Sequence, residues 1–172
     1  MRIVRWLGIL LAILLAAVGV LLVAARFSDG PLGMIAGGPL VAGELVIAEP
    51  DWTFARDVAT VELQLLEPAR SRTTWILESG GKVYIPSGYM NSTIGHYWKH
   101  WPLEAERDGR AVLRIAGKRY PRELVRITNG PIIGLLTAEM ARKYGVPATP
   151  ALVESGDLWL FELAPSQDGQ HP

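Results

Sequence analysis

Residues 6–25, WLGILLAILLAAVGVLLVAA, are apolar without interruption and carry no polar face. Twenty residues at about 1.5 Å each match the ~30 Å hydrocarbon core of a bilayer, so the pattern predicts a transmembrane helix. Further on the period shortens to two. In DVATVELQLL (57–66), Ala59, Val61, Leu63 and Leu65 oppose Val58, Thr60, Glu62 and Gln64, which reads as a half-buried strand. RTTWILES (72–79) is rich in β-branched and aromatic residues. Ser79-Gly80-Gly81 then marks a tight hairpin, and KVYIPS (82–87) is the return strand. A second hairpin pairs RAVLRIA (110–116) with RYPRELVRI (119–127) around Gly117-Lys118. Pro121 cannot donate to a ladder, so that strand is expected at an edge or bulged.

After Asn129-Gly130-Pro131 the period lengthens again. Ile132, Leu135, Leu136, Met140 and Tyr144 recur at helical spacing, with Gly145 placed as the C-cap, so 132–145 is predicted as a helix. DLWLFELAP (157–165) alternates as a last strand. Five or more antiparallel strands joined by short turns predict a mainly β fold, a small antiparallel split β-barrel with one or two helices, preceded by the transmembrane helix. The chain divides into an anchor (1–27), a Gly/Pro-rich tether and lead-in (28–56), the barrel domain (57–164) and a loose tail (165–172).

Charge adds a direction. Arg2, Arg5 and Arg26 are the charges of the first 26 residues, while the remainder has 14 Lys/Arg against 17 Asp/Glu. Positive charge before the span places the N-terminus in the cytoplasm and the body in the periplasm, as a single-pass protein of a bacterial inner membrane. The rival reading, a signal peptide cleaved near Val23-Ala24-Ala25, has to accommodate an apolar run longer than the usual 7–15 residues. A mildly acidic body argues against nucleic acid as a partner. With no cysteine in the chain, disulfides, thiolate metal sites and cysteine nucleophiles are excluded.

The motif order RSRTTWILESGGKVYIPSG, then WKHWP, then GRAVLRIAGKRYPRELVRI resembles the flavin-binding split barrels of the pyridoxamine-phosphate-oxidase-like superfamily. The nearest branch is that of the deazaflavin (F420)-dependent nitroreductases. The likeness covers about Asp57 to Leu163. It implies a homodimer that holds FMN or F420 in a groove and uses the cofactor for hydride transfer, with no side chain required as catalytic acid or base. Matched to the family's motif, Arg72, Thr73 and Thr74 fall on the strand near the cofactor phosphate, and Ser87 ends the next strand. Trp98 and Lys99 fall on the loop that closes over the ring. The chain departs from the pattern in having Trp75 where a proline often follows the Thr pair, and a sparse basic cluster. A non-catalytic envelope binding or scaffolding module, with no cofactor, is the alternative function.

Other candidates carry less chemistry. His96 and His100 have the i, i+4 spacing of a zinc pair, but no acid lies between them and no third ligand is evident. Ser87 and Ser92 lack a GxSxG elbow. Glu104, Glu106 and Asp108 read as a solvated loop. Arg114, Arg119, Arg122 and Arg126 form the strongest basic feature, expected as edge-strand charges that oppose aggregation.

Overall fold

A computed structural model describes residues 2–92 and 100–166. The elements run α1 (Arg2–Ala25), β1 (Glu44–Leu45), a 3-10 helix (Trp52–Asp57), β2 (Thr60–Leu66), β3 (Ala69–Trp75), β4 (Leu77–Ser79), β5 (Lys82–Ser87), α2 (Trp101–Arg107), β6 (Arg110–Ile115), β7 (Lys118–Ile127), α3 (Ile132–Tyr144), α4 (Pro150–Glu154) and β8 (Trp159–Pro165). The strand order is β3-β2-β6-β7-β8-β5-β4, and β1 adds to β7 in parallel. All other pairs are antiparallel.

That order dictates a rolled sheet. β3 and β4 lie at its two ends, yet Ile76 alone separates them in the chain. The sheet must therefore curl until its edges meet, giving a half-barrel. Period two then sorts the side chains. Leu63 and Leu65 of β2, Leu113 of β6, Ile85 of β5 and Phe161 of β8 fill the inside with Trp52 and Trp101. Tyr84 and Leu160 point outward with Leu77 and are covered by Ile133, Leu136 and Met140 of α3. The β4–β5 and β6–β7 hairpins turn where the backbone can take positive φ: Gly80 and Gly81 at 62° and 74°, Ala116 and Gly117 at 50° and 73°.

Four sequence expectations change. The single strand over 72–79 is two, broken at Ile76. The last turn of α3 pins that corner: the Ile76 N–H donates to Tyr144 Oη (3.0 Å), Lys143 Nζ donates to Ile76 O (2.8 Å), and Trp75 stacks on Tyr144 with centroids 4.2 Å apart. β7 is a central strand, bounded by β6 and β8. Pro121 is tolerated because the β8 ladder begins only at Arg122, so the proline lies just beyond it. The acidic loop around Glu104 is instead the helix α2, started by Pro102 in its first turn and held by buried Trp101, Pro102 and Ala105. The arginines of β6 and β7 are not edge charges. Arg122 is 2% exposed, points inward over the Trp52 ring (4.7 Å) and pairs with Glu49 at 2.7 Å, while Arg114 lies on the outer face.

Residues 28–43, read as a tether, are laid across the outside of β2, β3 and β6 as a collar. Gly37 and Ser71 exchange backbone hydrogen bonds (2.9 and 3.3 Å), and Ser71 Oγ donates to Gly38 O (2.6 Å). The Leu40 N–H donates to Gln64 Oε1 (2.6 Å), and Arg114 Nη1 binds both Asp29 oxygens at 2.9 Å while its Nε bonds Glu62. At its start Ala25 is fully buried. The preceding α1 has a mean hydropathy of 3.0 and is long and apolar enough to cross a membrane.

The Asp29 clamp titrates. Burial pushes its carboxyl up, but the Val41 and Ala42 N–H groups and Arg114 outweigh burial and hold it below the usual carboxylate range. A depressed folded pKa contributes stability above the unfolded value that is lost as pH falls through the folded value. The amides of Val41 and Ala42, bonded to Asp29 at 2.7 and 3.3 Å, are thus expected to keep their hydrogen-exchange protection factors down to about pH 4 and to lose them below it. An Asp29→Asn variant with unchanged protection would place the clamp elsewhere.

Candidate functional site

The rolled sheet leaves a seam. Among the described residues β5 pairs with β4 only over Lys82–Tyr84, and the outer edge of β3 is bridged only at Ser71, by Gly37. Beyond those points Thr73–Trp75 and Pro86–Gly88 face each other, and no ladder joins β3 to β5 among the described residues. Pro86, with no N–H to leave unpaired, sits where β5 has lost its β4 partner. A cleft of about 610 Å³ opens there. Its walls are Thr73, Thr74 and Trp75 of β3, Pro86, Ser87, Gly88 and Tyr89 at the end of β5, Trp101 of α2, Met140 of α3, Val146, Pro147, Ala148 and Leu152 around α4, and Asp157 and Leu158 before β8. The volume falls within the range of small-molecule sites, and the lining is mainly apolar and aromatic with a few hydroxyls, as such sites require.

The segment after β5 is held in an uncommon shape. Tyr89 has φ 61°, which residues with a Cβ seldom adopt. Three bonds tie the next two residues to the Ser155–Asp157 turn: Met90 N–H to Asp157 O (3.0 Å), Asn91 N–H to Asp157 Oδ1 (3.1 Å) and Asn91 Nδ2 to Ser155 O (2.9 Å). Tyr89 is thereby presented at the cleft with most of its ring exposed.

Of the sequence-predicted residues, Thr73, Thr74 and Ser87 line this one cleft. Thr73 Oγ1 donates to Gly33 O at 3.1 Å, tying that wall to the collar. Ser87 is buried, with its hydroxyl 3.5 Å from Met90 Sδ, a weak bond that leaves the oxygen as an acceptor. Arg72 is not on the wall. It is paired across the ladder with Leu63 and so faces into the barrel, where its guanidinium lies 5.3 Å from the centroid of the Trp101 ring. Burial pushes the Arg72 pKa down to about 10, against the favourable field of Glu104, with Arg70 adding repulsion. Its Nε is buried and has no acceptor. Trp98, Lys99 and His96 lie outside the described residues. His100 is exposed at the start of α2, and among the described residues no group of three or more His, Asp or Glu could hold a metal.

Sequence reasoning missed Trp75, Tyr89, Met140, Leu152 and Leu158 as cleft residues. Trp75 had a signal, an aromatic residue at an outward strand position. The α3 and α4 residues had none, because their approach to the seam is set by tertiary packing.

No known protein family matches the chain by sequence, and no curated protein matches it. Solved structures do. A pyridoxamine 5′-phosphate oxidase candidate from Listeria innocua is 12% identical, with 66% of this chain and 88% of that one covered, at a TM-score of 0.46. A conserved hypothetical protein from Mycobacterium tuberculosis is 9% identical over 70% and 83%, at 0.47. HutZ, the heme storage protein from Vibrio cholerae, is 10% identical over 72% and 93%, at 0.43. These neighbours are split-barrel proteins of the pyridoxamine-phosphate-oxidase-like kind.

Proposed function

We propose that this chain is a membrane-anchored split-barrel protein that holds FMN or F420 in the seam cleft, acting as a homodimeric oxidoreductase of nitroreductase type. The observation that carries the reading is the seam itself: about 610 Å³ of cleft with Trp75, Tyr89 and Trp101 on its walls and a guanidinium with an unfilled donor behind Trp101. The aromatic faces suit a flat ring. Thr74 and Ser87 supply hydroxyls, and Arg72 is the cation available to an anionic side chain. When bound, the cofactor supplies hydride transfer, and the chain positions it and excludes water. The anchor is α1, with Arg2 and Arg5 on the cytoplasmic side and the barrel in the periplasm.

Full-length protein purified in detergent, titrated separately with FMN and F420, is expected to quench the free cofactor's fluorescence saturably. Equilibrium dialysis that finds neither cofactor retained, in monomer and dimer fractions alike, removes the reading. The second function, a binding module without a cofactor, draws on one observation: the described cleft lining contains no Lys or Arg. It predicts uptake of an uncharged apolar dye by the same cleft with no cofactor binding.

A further inference from the structure

We infer that the collar following α1 is a membrane-docking surface, in which Phe27, Leu32 and Met34 enter the interfacial layer of the bilayer that α1 crosses. The inference rests on the reading of α1 as a membrane span and goes beyond it. A span fixes where the chain crosses, while docking fixes how the body sits.

The exit of the helix is built into the body. Ala25 is fully buried, and Ser28 Oγ lies 2.7 Å from both Ala25 O and Gly30 O, the two acceptors for its one proton. The collar then folds back on this exit. A side chain at Gly38 would lie 2.5 Å from Arg26 O and 2.7 Å from Ser28 O, and one at Gly37 would lie 1.9 Å from Gly30 O. Only glycines permit so close an approach of backbone to backbone. Residues 30–37 therefore form a closed loop with its base at the helix exit. Leu32 and Ile35 exchange backbone bonds (3.0 and 3.1 Å), which puts Gly33-Met34 at the tip of a tight turn. The loop cannot swing away, because the bonds to Ser71, Gln64 and Arg114 hold it to the barrel wall.

The clamped loop presents an apolar surface. Met34 is 93% exposed, Leu32 in the same loop is 43% exposed, and Phe27, two residues past the helix, is 85% exposed. Three exposed apolar side chains on the short stretch that leaves the helix and folds back on its exit make that stretch a candidate interaction surface. Their position beside the end of a membrane-spanning helix makes lipid the occupant, since that surface is already at their side. The charges agree. Arg26 is exposed and has no carboxylate partner among the described residues, which suits anionic headgroups, while the one acid inside the loop's base, Asp29, is neutralised by Arg114.

The chain has no cysteine, so single-cysteine variants of the full protein carry one bimane label each. In phosphatidylcholine–phosphatidylglycerol vesicles, labels at Met34→Cys and Phe27→Cys are expected to shift to the blue and lose about half their emission to lipids spin-labelled near the headgroup, as interfacial residues do. Leu14→Cys, at the middle of α1, reports the span through deep-labelled lipids. Leu135→Cys, on α3 and therefore across the barrel from the collar, is expected to show neither effect. Quenching at Leu14→Cys with water-exposed labels at positions 27 and 34 overturns the docking and leaves the span standing. Loss of quenching at Leu14→Cys removes both. A blue shift at position 34 without quenching by lipid assigns the loop to a protein contact such as a second copy, and overturns the inference. Equal quenching at position 135 overturns it too.

Discussion

Trp101→Ala is expected to lower the stability of the body by about 3–5 kcal/mol, the usual cost of truncating a buried aromatic residue to alanine. Trp101 is buried and belongs to the inner core, with its ring centroid 5.7 Å from that of Phe161. It is also the anchor of a seven-residue helix that has little else inside: of α2 only Trp101, Pro102 and Ala105 are buried. A helix this short does not persist on propensity alone. Its other attachments are an ion pair from Glu106 to Arg126 (2.5 Å), half-exposed and worth at most about 1 kcal/mol, and the field between Glu104 and Arg72. Without the ring the helix is free to lift, and the inner core opens directly into the seam cleft.

The full chain in nanodiscs, heated and followed by near-ultraviolet circular dichroism, reports chiefly the packed rings of the body, since Trp6 is the one aromatic residue of α1 and packs against none of them. At about 2–4 °C per kcal/mol for a chain of this size, the midpoint is expected to fall by roughly 10 °C. Trp101→Phe retains a ring and is expected to recover most of the loss. A fall in Trp101→Ala of no more than about 2 °C would show that α2 is only peripheral and that the cleft wall does not depend on it.

The division between what the chain made legible and what it did not reflects the range of the forces involved. Alternation of Leu63 and Leu65 with Glu62 and Gln64 is a local record of which side chains share a face, and the structure places those leucines inside the barrel and those polar residues on its outer face, where the collar covers Gln64. Gly80-Gly81 and Gly145 mark their turn and cap through their own backbone requirements, with φ of 62°, 74° and 65°. The break at Ile76 could not be read this way. Its cause is Tyr144 and Lys143, 68 and 67 residues further on, which take up the backbone groups of the corner. Gly37-Gly38 reads in the sequence as a turn within a tether, because glycine serves both turns and close approach. Only the carbonyls of Gly30, Arg26 and Ser28 lying against them reveal which use applies. The cleft was half legible for the same reason: Thr73, Thr74 and Ser87 came from strand position and motif order, whereas Met140 and Leu152 reach it through packing between elements.

Arg72→Met is expected to make the fold more stable while weakening anion binding at the seam, and the opposition of the two effects is the test of what Arg72 is for. A guanidinium kept for structure gains a carboxylate partner or fills its donors. Arg72 has a pKa pushed down to about 10 by burial, no ion pair among the described residues, and an unfilled Nε. A pKa held at about 10, below the ordinary arginine value, corresponds to a penalty of at most roughly 3–4 kcal/mol at neutral pH. Partial exposure reduces that figure, and the contact with the Trp101 ring returns roughly 0.5–2 kcal/mol. Methionine keeps the apolar stem and adapts to the space. The expected balance is a gain of about 1 kcal/mol, a rise in midpoint of roughly 2–4 °C. The sign against pH comes from linkage. From about pH 10 up to the ordinary arginine value the unfolded chain binds the proton and the folded chain does not, so wild-type stability rises with pH through that window and the full penalty is present below it. The advantage of Arg72→Met is therefore expected to be constant from pH 7 to 9 and to shrink above about pH 10. Over the same variants, affinity for an anionic ligand such as FMN is expected to fall about tenfold or more, the loss of one charge-assisted bond. If Arg72→Met instead lowers the midpoint by several degrees, the guanidinium is a structural tie and the assignment of the seam to an anion fails. If it raises the midpoint and leaves FMN affinity unchanged, the buried charge serves something other than this cleft.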